Sequence, residues 1–133
     1  MARTNTQTVL AFLETVFNKH EVREGFERYV GVGYLQHDAR MPDGRDAAMR
    51  AWTRVLAQQY PASQVIVKRT VAQGDLVAVQ LEWVPTSGQA PVSSDHARSS
   101  SRIDIYRLEK GRIIEHWGVV QDNADSASSS GAF

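Results

Sequence analysis

Ser101-Arg-Ile-Asp-Ile-Tyr-Arg-Leu-Glu-Lys-Gly-Arg-Ile-Ile-Glu-His-Trp-Gly-Val-Val-Gln121 is the stretch whose reading decides the fold. Apolar and polar residues alternate from Ser101 to Leu108 and again from Arg112 to Gln121. That two-residue period marks strands with one buried face. Glu109-Lys110-Gly111 between them reads as a hairpin turn. Working upstream, residues 85–98 are rich in serine and proline and read as a long polar loop. Before it, Val77, Val79, Leu81 and Trp83 alternate with Ala78, Gln80 and Glu82, and Val65, Val67 and Val71 alternate in turn. Gln73-Gly74-Asp75 joins these two runs as another hairpin. The second half is therefore predicted to be an antiparallel meander of about four main strands.

The first half carries helical spacing instead. Val9, Leu10, Leu13, Val16 and Phe17 make one stripe, and Thr4 with Gln7 forms a capping box ahead of it. Val22, Phe26 and Tyr29 mark a second helix over 22–29, which Gly31 and Gly33 break. A third helix is expected to start at Asp43 as its cap, with Asp46 in the first turn. Ala48, Met49, Trp52, Val55 and Leu56 form its stripe, and Pro61 marks its end. Three N-terminal helices before a meander imply an α+β domain over residues 1–123, with a polar tail over 124–133 that ends in Phe133. A strongly curved, cone-shaped antiparallel sheet wrapped on these helices closes at one end and leaves one pocket at the other.

Composition narrows the function. Fifteen Lys and Arg face fifteen Asp and Glu in 133 residues, without the basic surplus that nucleic-acid binding needs. No cysteine is present, so disulfides, thiolate metal ligands and a cysteine nucleophile are excluded. No apolar run approaches the roughly 20 residues of a membrane span. The N-terminus has no apolar signal core, so a cytoplasmic location is expected.

Three stretches carry a family resemblance: Tyr29-Val30 with Tyr34-Leu35-Gln36-His37-Asp38 and Asp43-Gly44-Arg45; Asp104 to Leu108 with Lys110 to Trp117; and the ending Gly131-Ala132-Phe133. Together they resemble the SnoaL-like polyketide cyclase group of the nuclear transport factor 2-like superfamily, over roughly residues 7–121. The resemblance implies a cofactor-independent enzyme acting on a small apolar or aromatic carbonyl compound by acid–base proton transfer. Aldol-type cyclisation, isomerisation or dehydration would follow. In that group an aspartate after the His-Trp pair is the general base; here the position is Gly118. Gln80 and Glu82 stand where relatives often have histidines. These departures define the alternative, a non-catalytic small-molecule-binding or accessory protein that keeps the pocket.

The candidate catalytic residues are His37, Asp104 and His116. A histidine titrates near neutrality and suits proton transfer, although His37 could equally tie a loop to backbone carbonyls. Asp104 lies between Ile103 and Ile105, and a carboxylate facing a dry cavity is expected to have a raised pKa. An ion pair with Arg45, Arg102 or His116 is the structural alternative. A three-residue turn would set Asp104 opposite His116, and a two-residue turn would set it opposite Trp117. Tyr34 and Gln121 are candidate hydrogen-bond donors to a substrate carbonyl, and Trp52, Trp83 and Trp117 candidate walls for a flat ligand. His20 and His96 read as surface or loop residues. No metal is assigned, because nothing in the spacing selects His37, Asp104 and His116 as a ligand set. No cofactor is expected either, since Gly31-Val32-Gly33 lacks the strand–helix setting of a phosphate loop. Apolar residues on both sides of the last strands, with Ile114 and Val120 opposite Ile113 and Val119, imply a buried outer sheet face and a homodimer.

Overall fold

The computed structural model describes residues 3–85, 99–122 and 133. Helix α1 (Asn5–Leu13) starts at the expected capping box, with Thr4 Oγ1 accepting the Gln7 N–H and Gln7 Oε1 accepting the Thr4 N–H. It continues into one π-helical turn, Glu14–Asn18. The wider turn carries Val16 and Phe17 together into the core, where both are buried. It also aims the Asn18 amide at the backbone of Val65, whose N–H donates to Asn18 Oδ1 at 2.7 Å. The helix end is thereby pinned to the edge of the sheet.

Helix α2 (Val22–Tyr29) runs without a loop into strand β1 (Val30–Gln36). Gly31 and Gly33, expected to break the chain, lie inside this strand. β1 pairs in parallel with the last strand, matching Val30 to Ile113 and Gln36 to His116. A Cβ on Gly31 would meet Ile114 Cγ2 at 3.2 Å, so the glycine allows the two strands to approach. Helix α3 (Arg45–Gln58) is capped by Gly44 at φ 92°, not by Asp43. The Asp43 carboxylate is occupied elsewhere, accepting the N–H groups of Gln36 and Gly44 and tying the loop to the end of β1. Asp46 stands in the first turn as expected.

Strands β2 (Gln64–Gln73), β3 (Leu76–Val84), β4 (Ser100–Glu109) and β5 (Arg112–Asp122) form the meander. With β1 the curved, open sheet has five strands in the order β1-β5-β4-β3-β2, and the three helices cover one face. Lys110 and Gly111, both at positive φ, close the β4–β5 hairpin as a two-residue turn. The register then slips. Leu108 opposes Ile113 but Arg107 opposes Glu115, leaving Ile114 as a bulge. Asp104 consequently faces Gly118 and Tyr106 faces His116, so neither expected pairing of Asp104 occurs. The bulge also inverts the expected faces. Ile113 is fully buried while Val119, six residues on, is 67% exposed.

Phe12 packs edge-on against Phe17, Phe26 and Tyr106, which joins the helices to the centre of the sheet. Phe133 lies outside this core: its ring sits under Lys68 Nζ at 4.8 Å and its carbonyl accepts from Arg69, both on β2. The expected polar loop, His96 and the tail before Phe133 lie outside the described residues, apart from Pro85. Among the described residues no helix is long and apolar enough to cross a membrane.

The tightest helix contact gives a test of the packing. A Cβ on Gly25 would lie 2.3 Å from Val16 Cγ2. Gly25→Ala is expected to lower stability by about 1–3 kcal/mol, read as a shifted denaturation midpoint with an unchanged slope.

Candidate active site

Alternation along three strands builds the site. Tyr34, Gln36 and Asp38 are buried while Leu35 and His37 between them are exposed. On β4 the inward positions are Arg102, Asp104, Tyr106 and Leu108; on β5 they are His116, Gly118 and Val120. Leu81 and Trp83 face the same way from β3, and the helices add Phe12, Phe17, Phe26 and Trp52. Tyr34, Gln36, Arg102, Asp104, Tyr106 and His116 join these aromatic and apolar groups around an inner chamber of about 30 Å³, the room of about one water. Trp52, Trp83 and Arg102 also line an outer vestibule of about 310 Å³, which Asp38, Arg40, Tyr60 and Asp122 help to form.

A continuous polar chain crosses this otherwise aromatic chamber. His116 Nε2 lies 2.7 Å from Asp104 Oδ1, and Arg102 donates to both Asp104 oxygens from Nη2 (2.9 Å) and Nε (3.1 Å). Arg102 Nη2 reaches Asp38 Oδ2 as well, at 3.3 Å, and Arg40 grips the same carboxylate from outside. His116 Nδ1 lies 2.6 Å from Gln36 Oε1, which also accepts the Asp38 backbone N–H. That second donor fixes the oxygen as the carbonyl end of Gln36, so His116 Nδ1 is the donor toward it. Gln36 Nε2 donates in turn to Tyr34 Oη at 2.8 Å, leaving the Tyr34 hydroxyl hydrogen free of that bond. Tyr106 stacks on the His116 ring at 4.8 Å and holds its plane.

Direct cross-strand pairing does not produce the Asp104–His116 contact. It is diagonal, made across the space opposite Asp104. A Cβ at position 118 would stand 2.5 Å from Asp104 Oδ1 and 3.0 Å from Arg102 Nη2. Gly118 is therefore the room in which the Asp104 carboxylate and its arginine sit.

The electrostatics overturn one expectation. Burial pushes the Asp104 carboxyl upward, but the His116 hydrogen bond and the Arg102 guanidinium outweigh it and hold the group below the usual range. Asp38 behaves alike: burial raises it, while bonds from Arg40 and the Arg102 charge bring it to about 2. Burial raises Tyr34, with help from the charges of Asp104, Asp38 and Asp43, so the phenol stays protonated. Tyr106 is raised for the same reasons, burial first and then Asp104.

Of the residues singled out in the sequence, the chamber gathers Tyr34, Trp52, Trp83, Asp104 and His116. His37 is a correction. Its Nε2 bonds to Glu115 at 2.7 Å and its ring stacks on Trp117 at 5.1 Å, both on the outer face of the sheet. Trp117 and Gln121 are corrections with it, since each is odd-numbered on a strand whose even positions face inward after the bulge. The two-histidine, one-carboxylate set is accordingly not assembled. Gln80 and Glu82 also face outward, toward Arg69 and Lys68, so neither replaces a pocket residue. Arg102, Gln36, Asp38 and Tyr106 were not among the expected site residues. Counting by two from Asp104 and Tyr34 would have found all four.

The fold and site define a helix-covered, open-sheet α+β domain with a buried acid–base cluster. The SnoaL-like polyketide cyclase family model matches residues 7–127, and the chain belongs to that family. Among solved structures it is similar to IdmH of Streptomyces antibioticus, a candidate polyketide cyclase. The two share 21% identity, 90% of this chain and 93% of that one, with a TM-score of 0.68. It is similar to an NTF2-like protein of Cytophaga hutchinsonii at 14% identity, covering 91% and 93%, with a TM-score of 0.71. TsrD of Streptomyces laurentii aligns at 18% identity over 91% of each chain, with a TM-score of 0.68. At these identities the likeness is one of fold. No curated protein sequence matches the chain.

Acid should unlock the cluster. Asp38 and Asp104 bind protons more weakly folded than unfolded, so their contribution is complete above the ordinary value of 3.8 and is lost as pH falls below it, for Asp38 toward about 2. The thermal midpoint should hold from pH 7 to 5 and drop below 4. Asp38→Asn should lower the plateau and flatten the drop; an acid limb identical to wild type would refute this account.

Proposed function

We propose that the protein is a cofactor-independent enzyme that removes a proton next to the carbonyl of a small aromatic or apolar substrate. The observation that carries this is a fully ionised carboxylate, Asp104, only 2% exposed inside an aromatic chamber. Asp104 is the base. Its lowered pKa makes it weak but wholly deprotonated at neutral pH, and burial away from water restores part of its reactivity. Tyr34 supplies the matching donor, because its proton is held by burial and its oxygen is already fed by Gln36. A hydrogen bond from Tyr34 to the developing enolate oxygen stabilises the charge that the proton transfer creates. His116 and Arg102 are positioning residues that aim the carboxylate. The enolate then closes a ring onto a second carbonyl, shifts its charge to another carbon or expels a β-hydroxyl, according to the substrate. Protonated Asp104 returns its proton to the alkoxide, to that carbon or to the leaving oxygen, which departs as water.

A ligand reaches Asp104 by parting Trp52 and Trp83, whose rings stand 6.0 Å apart between the vestibule and the chamber. Two indoles at that passage suit a flat ring that replaces their mutual contact. The test is exchange of α-protons of 1-tetralone with D2O, followed by NMR. Asp104→Asn should slow it by about 10²–10⁴ and Tyr34→Phe by about 10²–10³. Tetralone binding without exchange above buffer would favour the binding-protein alternative.

The outer face of the sheet is proposed to pair with a second copy of this chain. Ile103 and Val119 oppose each other there, 41% and 67% exposed, beside the half-buried Trp117. Sedimentation at micromolar concentration should give a dimer, and Ile103→Glu a folded monomer. A wild-type monomer would exclude the pairing.

A further inference from the structure

Arg102 has N–H donors that no described residue uses. Its Nε and Nη2 are committed to Asp104 and Asp38, while Nη1 makes no hydrogen bond among the described residues. The side chain is only 10% exposed, yet no buried side-chain nitrogen or oxygen among the described residues lacks a partner. Nη1 therefore opens onto cavity space. That space is the junction of the two compartments, because Arg102 lines both chamber and vestibule.

The open donor says what belongs there. Asp104 and Asp38 match the charges of Arg102 and Arg40, and Asp122 lines the vestibule with them. What is left over is therefore the N–H donors of Nη1 on an almost buried cation, not a net charge. A charged N–H makes its strongest hydrogen bond to an anionic oxygen.

We infer that the ligand of this site carries a carboxylate, which docks on the open Nη1 edge of Arg102 while its carbonyl end reaches toward Asp104 and Tyr34. This rests on the reading that the chamber accepts a carbonyl compound, and it narrows that compound to an aromatic keto acid. The acid group belongs at the junction, and the ring lies between Trp52 and Trp83. Arg102 then has two tasks, holding the base and selecting the substrate.

Calorimetry with 3-benzoylpropionate and its methyl ester at pH 7 tests this without requiring turnover. The acid is expected to bind at least about tenfold more tightly than the ester. In Arg102→Gln the ratio of acid to ester affinity should fall below about twofold. Because that variant leaves two carboxylates without their arginine, Arg102→Lys is measured beside it, with folding checked by circular dichroism. Lysine keeps the charge but cannot hold Asp104 with one side of its head and offer donors from the other, so the preference should drop by at least about threefold. Equal binding of acid and ester, or an unchanged preference in both variants, would overturn the inference and leave the carbonyl-ligand reading standing. Binding of neither compound would overturn both.

Discussion

A carboxylate taken almost wholly out of water, Asp104, is the constraint around which the rest is arranged. Left alone it would take up a proton or destabilise the fold by several kcal/mol. It is ionised because three donors converge on it, two from Arg102 and one from His116. Each donor then needs its own support. Arg102 leans on Asp38, His116 on Gln36, and Gln36 on Tyr34 and the Asp38 backbone. The requirement passes from the centre of β4 to β5, to β1 and to the loop beyond it. A buried polar network of this kind is stable only when complete, so one carboxylate dictates residues on three strands and the loop after β1.

The sheet supplies what that network needs through two irregularities. The Ile114 bulge sets Gly118 opposite Asp104, and only a residue without a side chain leaves the carboxylate its place there. The same bulge turns His116 inward and Trp117 outward, where the indole stacks on His37. The parallel pairing of β1 with β5 then brings Gln36 level with His116. An aromatic wall from the helices encloses the cluster and strengthens every charge interaction inside it. Binding surface and acid–base cluster are thus built by one set of strands.

Much of this was legible in the chain. Helix positions, both hairpin turns and the alternation of β3 and β4 follow from local rules of capping, turn geometry and side-chain period; in β2 a register slip leaves Val67 and Val71 exposed and only Val65 buried. Asp104 announced itself as a charge within an apolar strand, and Tyr34, Trp52, Trp83 and His116 fell on the correct faces. The errors cluster where pairing with a distant strand outweighs local preference. Gly31 and Gly33 look like breakers, yet they form a strand because β5 offers its edge. His37 and Asp38 are neighbours whose side chains point to opposite sides, and it is the aspartate that is buried in the site.

By itself the sequence determined the elements, the composition of the core and the presence of a carboxylate that had to be accommodated. These are properties of short segments, written in periods of two and of 3.6 residues. Only the tertiary structure decided the register across the β4–β5 hairpin and the fifth strand, and with them the identity of the residues that share the chamber. The physical reason is that one bulged residue reverses the facing of every residue beyond it. Its position is chosen by the energy of the whole sheet and its buried charges, which no local pattern records.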